Sequence, residues 1–368
     1  MGYLKTFKII IETLSPVFVG SGEKISKKKY VFHKFDKKVL IPDLYKLFIG
    51  LKKLNLLKEY EEYLLYDSRD LFAWFRANNI DRKQYQQWMK YNLDSGDSLF
   101  EDRGKKEILL FVKDAYGCPY VPGSSLKGAI RTALLSGNMI KNKNSYNKFK
   151  SGIRQARYNG KRYLSREAND IENEAFNILN RNKKKYDAVN DCLAGIRISD
   201  SKPISVSDLV LCQKVDVSVD GTENKLNVLR ECVMPHKKIE FDLTIDTQLC
   251  IYEVSDIINA INAFFDCCQD VFLEAFKRNK VYQENSFYLG GGSGYVSKTM
   301  SYPLFGKEEG VKAVSEIIDN TLPYRLKNEH KHRKDPILGV SPHMLKCTRY
   351  NGILYEMGLC KMDIVKST

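Results

Sequence analysis

The chain is 368 residues long, 43% hydrophobic, with a formal net charge of +14 and a pI near 9.1. That length buries a full core, and no apolar run approaches the ~18 residues of a membrane span. The excess of Lys and Arg favours a polyanionic partner, nucleic acid before membrane, because no basic amphipathic anchor stands out.

Leu4–Leu14 alternates like a strand, with Phe7, Ile9 and Ile11 on one side, and Ser15-Pro16 ends it. It lacks the uninterrupted apolar core of a signal peptide. Lys24–Lys38 predicts a basic hairpin around Tyr30–Phe35; the lone His33 inside it is assigned no chemistry. Asp43 caps a helix whose buried stripe is Leu44, Leu47, Phe48 and Leu51. Helical patterning continues to Leu65, over Leu71–Ala77 and over Asp81–Tyr91, so this part reads as an all-helical insertion. Glu107–Val112 predicts a short strand.

Tyr120–Leu135 follows, reading YVPGSSLKGAIRTALL. Leu126, Ala129, Ile130, Ala133 and Leu134 give one apolar helical face over Ser124–Ser136. Ser124 or Ser125 caps the first turn, and Gly137 stands where the helix stops. Lys127 and Arg131 stack on the opposite face, four residues apart. A Gly-Ser turn at a helix start beside two cations suits a phosphate; a capped helix with a solvated wet face explains the same residues equally well. Ala129 stands where GxxxxGK[ST] needs its Lys, which excludes a Walker A loop.

From Lys141 to Lys185 cations are dense and aromatic rings lie among them: Arg154, Arg157, Lys161 and Arg162 with Tyr146, Phe149, Tyr158 and Tyr163. Charge for a backbone and π-faces for unstacked bases are what single-stranded RNA requires. A solvated insertion explains the charge but not the rings. Ser165 opens a helix with Ile171, Ala175, Ile178 and Leu179 inward, and Ala194–Ser199 is a strand with Arg197 on its opposite face.

Leu209–Val219 and Leu226–Met234 flank Asp220-Gly221, a hairpin signal, and this hairpin is expected to project from the body. Ile239, Phe241, Leu243 and Ile245 alternate as a half-buried strand. Ser255 or Asp256 caps the strongest helix, Ser255–Lys277. Phe287–Lys298 then holds Gly290, Gly291, Gly292, Ser293 and Gly294, whose amides can cradle phosphate, with Lys298 beyond them. Its spacing is neither GxGxxG nor Walker A. Val311, Val314, Ile317 and Ile318 mark a further helix. Lys327–Lys334, with His330 and His332, reads as a mobile basic loop rather than a metal site. Asn351-Gly352 turns a closing hairpin. Nine scattered cysteines without a CxxC give neither a zinc ribbon nor a dithiol, and fit core positions in a reducing cytoplasm.

The fold class is therefore α+β, a ferredoxin-like βαββαβ order with large insertions. The expected division is first core strands over 1–43, a helical insertion over 44–106 and the core helix over 107–140. A basic insertion follows over 141–194, the rest of the core with the hairpin 209–234 over 195–300, and a C-terminal extension over 301–368.

Val121–Leu135 (VPGSSLKGAIRTALL), Gly195–Ile204 (GIRISDSKPI) and Leu289–Tyr295 (LGGGSGY) resemble the RAMP superfamily of CRISPR-associated RNA-binding proteins. Within it they resemble the end-cap subunit of type III-A (Csm) effector complexes. The first motif is specific in wording and position; the glycine loop is a general mark of the superfamily. The resemblance implies an RRM-like palm, a protruding thumb at Leu209–Met234, and a lid and RNA groove from Leu44–Tyr91 and Lys141–Tyr186. It places RNA contacts on Ser124, Ser125, Lys127 and Arg131, on Gly290–Gly294, and on Arg197. It implies partners: CRISPR RNA, target RNA, the backbone subunits of the Csm complex and recruited host nucleases, with no cofactor and no membrane. The function implied is capping the CRISPR RNA 3′ end and supporting its maturation in antiviral defence, without cutting RNA.

Two other readings compete. A metal-independent endoribonuclease would need a general base such as His33 or His236 beside Tyr295 or Lys298, and no spacing forces any two together. A structural subunit would turn its basic surface to acidic protein neighbours.

Overall fold

The computed structural model describes residues 2–98, 106–276 and 283–367. The chain opens with strand β1 (Leu4–Thr13), followed by β2 (Gly20–Ile25), β3 (Val31–His33) and β4 (Lys38–Pro42). Helices α1 (Leu44–Lys53), α2 (Leu57–Tyr66), α3 (Leu71–Ala77) and α4 (Arg82–Gln86) come next. Asp43 caps α1 as expected, accepting from the amides of Tyr45 and Lys46. Leu47 and Leu51 are buried, but Leu44 and Phe48 face solvent, so the stripe is narrower than the spacing implied. The insertion is not all helical: Met89–Asp94 is a strand, β5, pairing with β4. Val31, Leu40, Leu47, Leu51, Trp74, Phe75, Tyr85 and Trp88 share a core of their own, separate from the main one. Gly50 is required there, because a β-carbon would lie 2.1 Å from the Trp88 ring.

β6 (Glu107–Phe111) leads to α5 (Gly123–Lys141), then α6 (Lys143–Gln155), α7 (Ser165–Phe176) and β7 (Ile196–Ile198). α5 does not stop at Gly137. That glycine lies inside the helix and lets α5 approach its neighbour, a β-carbon there falling 3.1 Å from Ala260 Cβ. Strands β8 (Leu209–Ser218), β9 (Glu223–Val233) and β10 (Lys238–Asp246) precede α8 (Val254–Val271), which Glu253 and Asp256 cap together. α8 ends at Val271, short of the expected Lys277, and a 3₁₀ turn follows over Leu273–Phe276; residue 277 itself lies outside the described residues. β11 (Ser286–Tyr288), α9 (Ser301–Phe305), α10 (Lys307–Thr321), α11 (Tyr324–His330) and α12 (Asp335–Leu338) follow. The chain closes with β12 (Met344–Tyr350), β13 (Ile353–Glu356) and β14 (Leu359–Lys366). Asn351 and Gly352 both have positive φ, the turn expected from that pair.

Two sheets organise these elements. The first has the order β11-β14-β1-β10-β7, every neighbour antiparallel. Ile239, Phe241, Leu243 and Ile245 each expose 2% or less, at roughly 2 kcal/mol per side chain. Along the chain β1, α5, β7, β10 and α8 come in the expected order. The place beside β1 goes to C-terminal β14, while β11, directly after α8, lies one strand further out.

The second sheet runs β2-β6-β9-β8-β5-β4-β3, with β12 and β13 joined through β8. The Asp-Gly hairpin forms as expected, but β8–β9 does not project. β6 runs parallel to β9, and β5 and β12 flank β8. Leu209, Val210, Leu211 and Cys212 are all buried, the pattern of a strand covered on both faces.

Candidate nucleic-acid interface

The helix start at α5 is built from backbone. The Gly123 amide donates to Asp200 Oδ1 at 2.8 Å, so Asp200, rather than either serine, caps the helix. A β-carbon on Gly123 would lie 2.4 Å from the carbonyl oxygens of Ile198 and Ser199, which fixes glycine at this contact. Ser124 is exposed and Ser125 half-buried.

Lys127 and Arg131 are half-buried and bonded to the protein itself rather than free on a wet face. Lys127 Nζ donates to the carbonyls of Leu193 (2.8 Å) and Ile196 (2.7 Å). Burial, its largest influence, holds the ammonium below the usual lysine range. Arg131 binds Glu172 at 2.8 Å and Asp191 at 2.7 Å and lies 4.5 Å from the centre of the Phe176 ring. Burial opposes its charge, but hydrogen bonds to Asp191 and Glu172 outweigh it and raise its pKa. Both side chains thus tie α5 to the segment before β7.

The glycine-rich bend follows β11. Gly290, Gly292 and Gly294 have φ of +79°, +87° and +93°. The Gly291 amide donates to the Phe18 carbonyl at 2.6 Å, and a β-carbon on Gly290 would lie 2.2 Å from that oxygen. Only glycine permits both the left-handed backbone and this approach. Arg230, from β9, stands against Gly292 and 5.7 Å from the Phe18 ring centre. Its Nε is buried without a hydrogen-bond partner. Lys346 of β12 packs on Gly294. Lys346 and Lys214 share Asp216, at 2.8 and 3.6 Å. Lys214 is pushed below the usual range by burial and then by Lys346, and Lys298 by burial and then by Arg230. No carboxylate among the described residues pairs with Arg230 or Lys298. Four cations thus meet one carboxylate beside amide-rich backbone, an arrangement that attracts phosphate.

Arg230, Lys214 and Lys346 lie outside the expected contact set. The only signal for them was their alternation on strands, since the pairing that brings β8, β9 and β12 to residues 290–294 is long-range.

The two bends do not meet in one cradle. β1, β7 and β11 point the same way, so both bends lie at the same end of the first sheet. They occupy opposite edges, β7 and β11, four strand spacings or about 19 Å apart.

The basic stretch is folded. Tyr146 is buried and Phe149 packs against the core, so these rings are structural. Arg154 pairs with Glu309 at 3.1 Å and lies 5.5 Å from the Phe305 ring centre. Arg157, Lys161 and Arg162 are exposed, near the Tyr158–Tyr163 edge contact. Arg162 and Arg131 line one groove of about 780 Å³ with exposed Tyr186. Arg197 is exposed, 3.9 Å from Asp246.

The residues named for acid–base chemistry are dispersed. His33 is buried and meets the Tyr85 hydroxyl at 2.7 Å; His236 lies 3.8 Å from Glu12; the Tyr295 hydroxyl meets Ser301 at 3.1 Å. Among the described residues no helix is long and apolar enough to cross a membrane.

Residues 10–296 match the model of the RAMP superfamily. The chain is similar to the CRISPR system Cms protein Csm5 of Streptococcus thermophilus, 29% identical over 83% of this chain and 82% of that protein. It is likewise similar to Csm5 of Mycobacterium tuberculosis, 28% identical over 98% of both. Among solved structures, a chain of a type III-A Csm–crRNA–target RNA ternary complex aligns with a TM-score of 0.66. That alignment has 15% identity and covers 97% of this chain and 100% of the other. Csm5 of T. onnurineus aligns with a TM-score of 0.60 and 15% identity over 96% and 99%. On the family match, with the glycine bend and both motifs in place, the chain belongs to the RAMP superfamily.

Proposed function

We propose that this protein is an RNA-binding subunit of a type III-A (Csm) CRISPR effector complex. It caps the 3′ end of the CRISPR RNA and supports its 3′-end maturation and antiviral defence, itself non-catalytic and cytoplasmic. The observation that carries this reading is the cation cluster of Arg230, Lys298, Lys214 and Lys346 against the bend at 290–294. Backbone amides and cations bind a sugar–phosphate strand without reading its bases, which suits a guide RNA of variable sequence. The similarity to Csm5 proteins supports membership of such an assembly, with CRISPR RNA, target RNA and the other Csm subunits as partners; recruitment of host nucleases belongs to the proposal alone. In this reading the first sheet with α5 and α8 is the RRM-like palm, and the helical lobe of 44–94 is the lid.

The test is photocrosslinking from the 3′-terminal nucleotides of CRISPR RNA in the assembled complex. Crosslinks at residues 290–298 and Arg230 are expected; 3′ ends that map only to other subunits overturn the assignment. Incubating the purified chain with CRISPR RNA in EDTA should leave the RNA intact. Site-specific cuts that disappear in His236→Ala or His33→Ala would favour an endoribonuclease instead.

A further inference from the structure

Lys327–Lys334 is not a mobile loop: α11 and a short turn fold it against the body, and His332 is 7% exposed. Three of the five histidines of the sequence, His330, His332 and His343, gather there around Asp335. The His332 and His343 ring centres are 4.7 Å apart, and those of His330 and His332 are 5.9 Å apart. Asp335 is fully buried. Its carboxylate meets His332 Nδ1 at 2.9 Å, His343 Nδ1 at 2.6 Å and the Ser341 hydroxyl at 2.6 Å. One ligand atom from each of His332, Asp335 and His343 lies within 4.8 Å of the others.

A carboxylate removed from water needs compensating positive charge. A protonated imidazole would supply one unit and a divalent cation two. Two imidazoles and one carboxylate form the donor set of zinc-class ions, whose bonds of about 2.0–2.2 Å put ligand atoms roughly 3–4 Å apart.

We propose that His332, Asp335 and His343 bind a divalent transition-metal ion of the zinc class, with His330 at the rim as a further imidazole. The ion would be structural. It closes the segment that leads into β12, whose Lys346 packs on Gly294, and the Ser341 carbonyl accepts from the Tyr302 hydroxyl of α9. The metal site stands on its own residues and does not depend on the RNA reading.

The test uses the full chain, stripped with chelator and titrated with Co²⁺ at neutral pH. One equivalent should bind with visible d–d absorption, Zn²⁺ should displace it, and Zn²⁺ should raise the thermal midpoint. His343→Gln should weaken Co²⁺ binding about tenfold or more, while His236→Ala, at an exposed histidine elsewhere, leaves it unchanged. If the wild-type chain takes up no stoichiometric Co²⁺, the proposal fails and the cluster is a hydrogen-bonded His–Asp–His network. Undiminished binding in a folded His343→Gln variant also overturns it, because the ion then sits elsewhere. Should His343→Gln not fold, the wild-type titration still decides.

Discussion

Gly292 and Arg230 are fitted to one another: a β-carbon on Gly292 would lie 3.1 Å from Arg230 Nη1, and the glycine holds φ at +87°. Gly292→Ala therefore meets backbone strain and displaces the guanidinium together. We expect a loss of about 1–3 kcal/mol of stability and weaker RNA binding. Gly128→Ala is the control. Gly128 lies within α5 with nothing inside 4 Å of its would-be β-carbon, so alanine should stabilise by about 0.5–1 kcal/mol. Thermal melts and filter binding on both variants check this; equal RNA affinity in the two would remove Gly292 from the site.

Arg230→Ala combined with Lys298→Ala should weaken binding to unrelated RNA sequences alike. The slope of log affinity against log salt should fall by about 0.7 for each single-strand phosphate that is no longer neutralised. An unchanged slope would show that neither cation meets a phosphate.

Arg131→Ala leaves Glu172 and Asp191 without their shared cation. The three side chains are partly solvated, so the expected cost is about 1–3 kcal/mol rather than that of a fully buried network. Arg131→Lys should not restore it, since an ammonium cannot reproduce the guanidinium fork. Melting and RNA binding on the same sample separate the two roles of this residue. Reduced affinity at an unchanged midpoint would assign Arg131 to phosphate instead.

Phe75 is fully buried in the helical lobe and stacks on Tyr85 at 5.1 Å. Phe75→Ala should cost about 3–5 kcal/mol. Because the lobe has its own core, hydrogen exchange should rise first in α1–α4, with the salt slope at the glycine bend unchanged. Uniform loss of protection across both sheets would contradict two separate cores.

Local signals determined much of this molecule. The ends of α5 and α8 moved to Lys141 and Val271, but the period-3.6 face of α5, the period-2 alternation of β10, the Asp43 cap and the Asp-Gly and Asn-Gly turns depend on residues a few positions apart, and each formed where the sequence placed it. So did the glycine bend, because positive φ is a property of glycine itself. What only the tertiary structure decided involves partners distant in the chain. Lys127 and Arg131 have the spacing of a wet helix face, yet the segment 172–196 folds over them and supplies carbonyls and carboxylates. The β8–β9 hairpin looked free because its covering strands β5, β6 and β12 come from far along the sequence. β14 sits beside β1 for the same reason. Arg230 and Lys346 join the glycine bend through pairings that leave no periodic trace, since sheet neighbours are chosen by the burial of whole faces rather than by spacing along one strand.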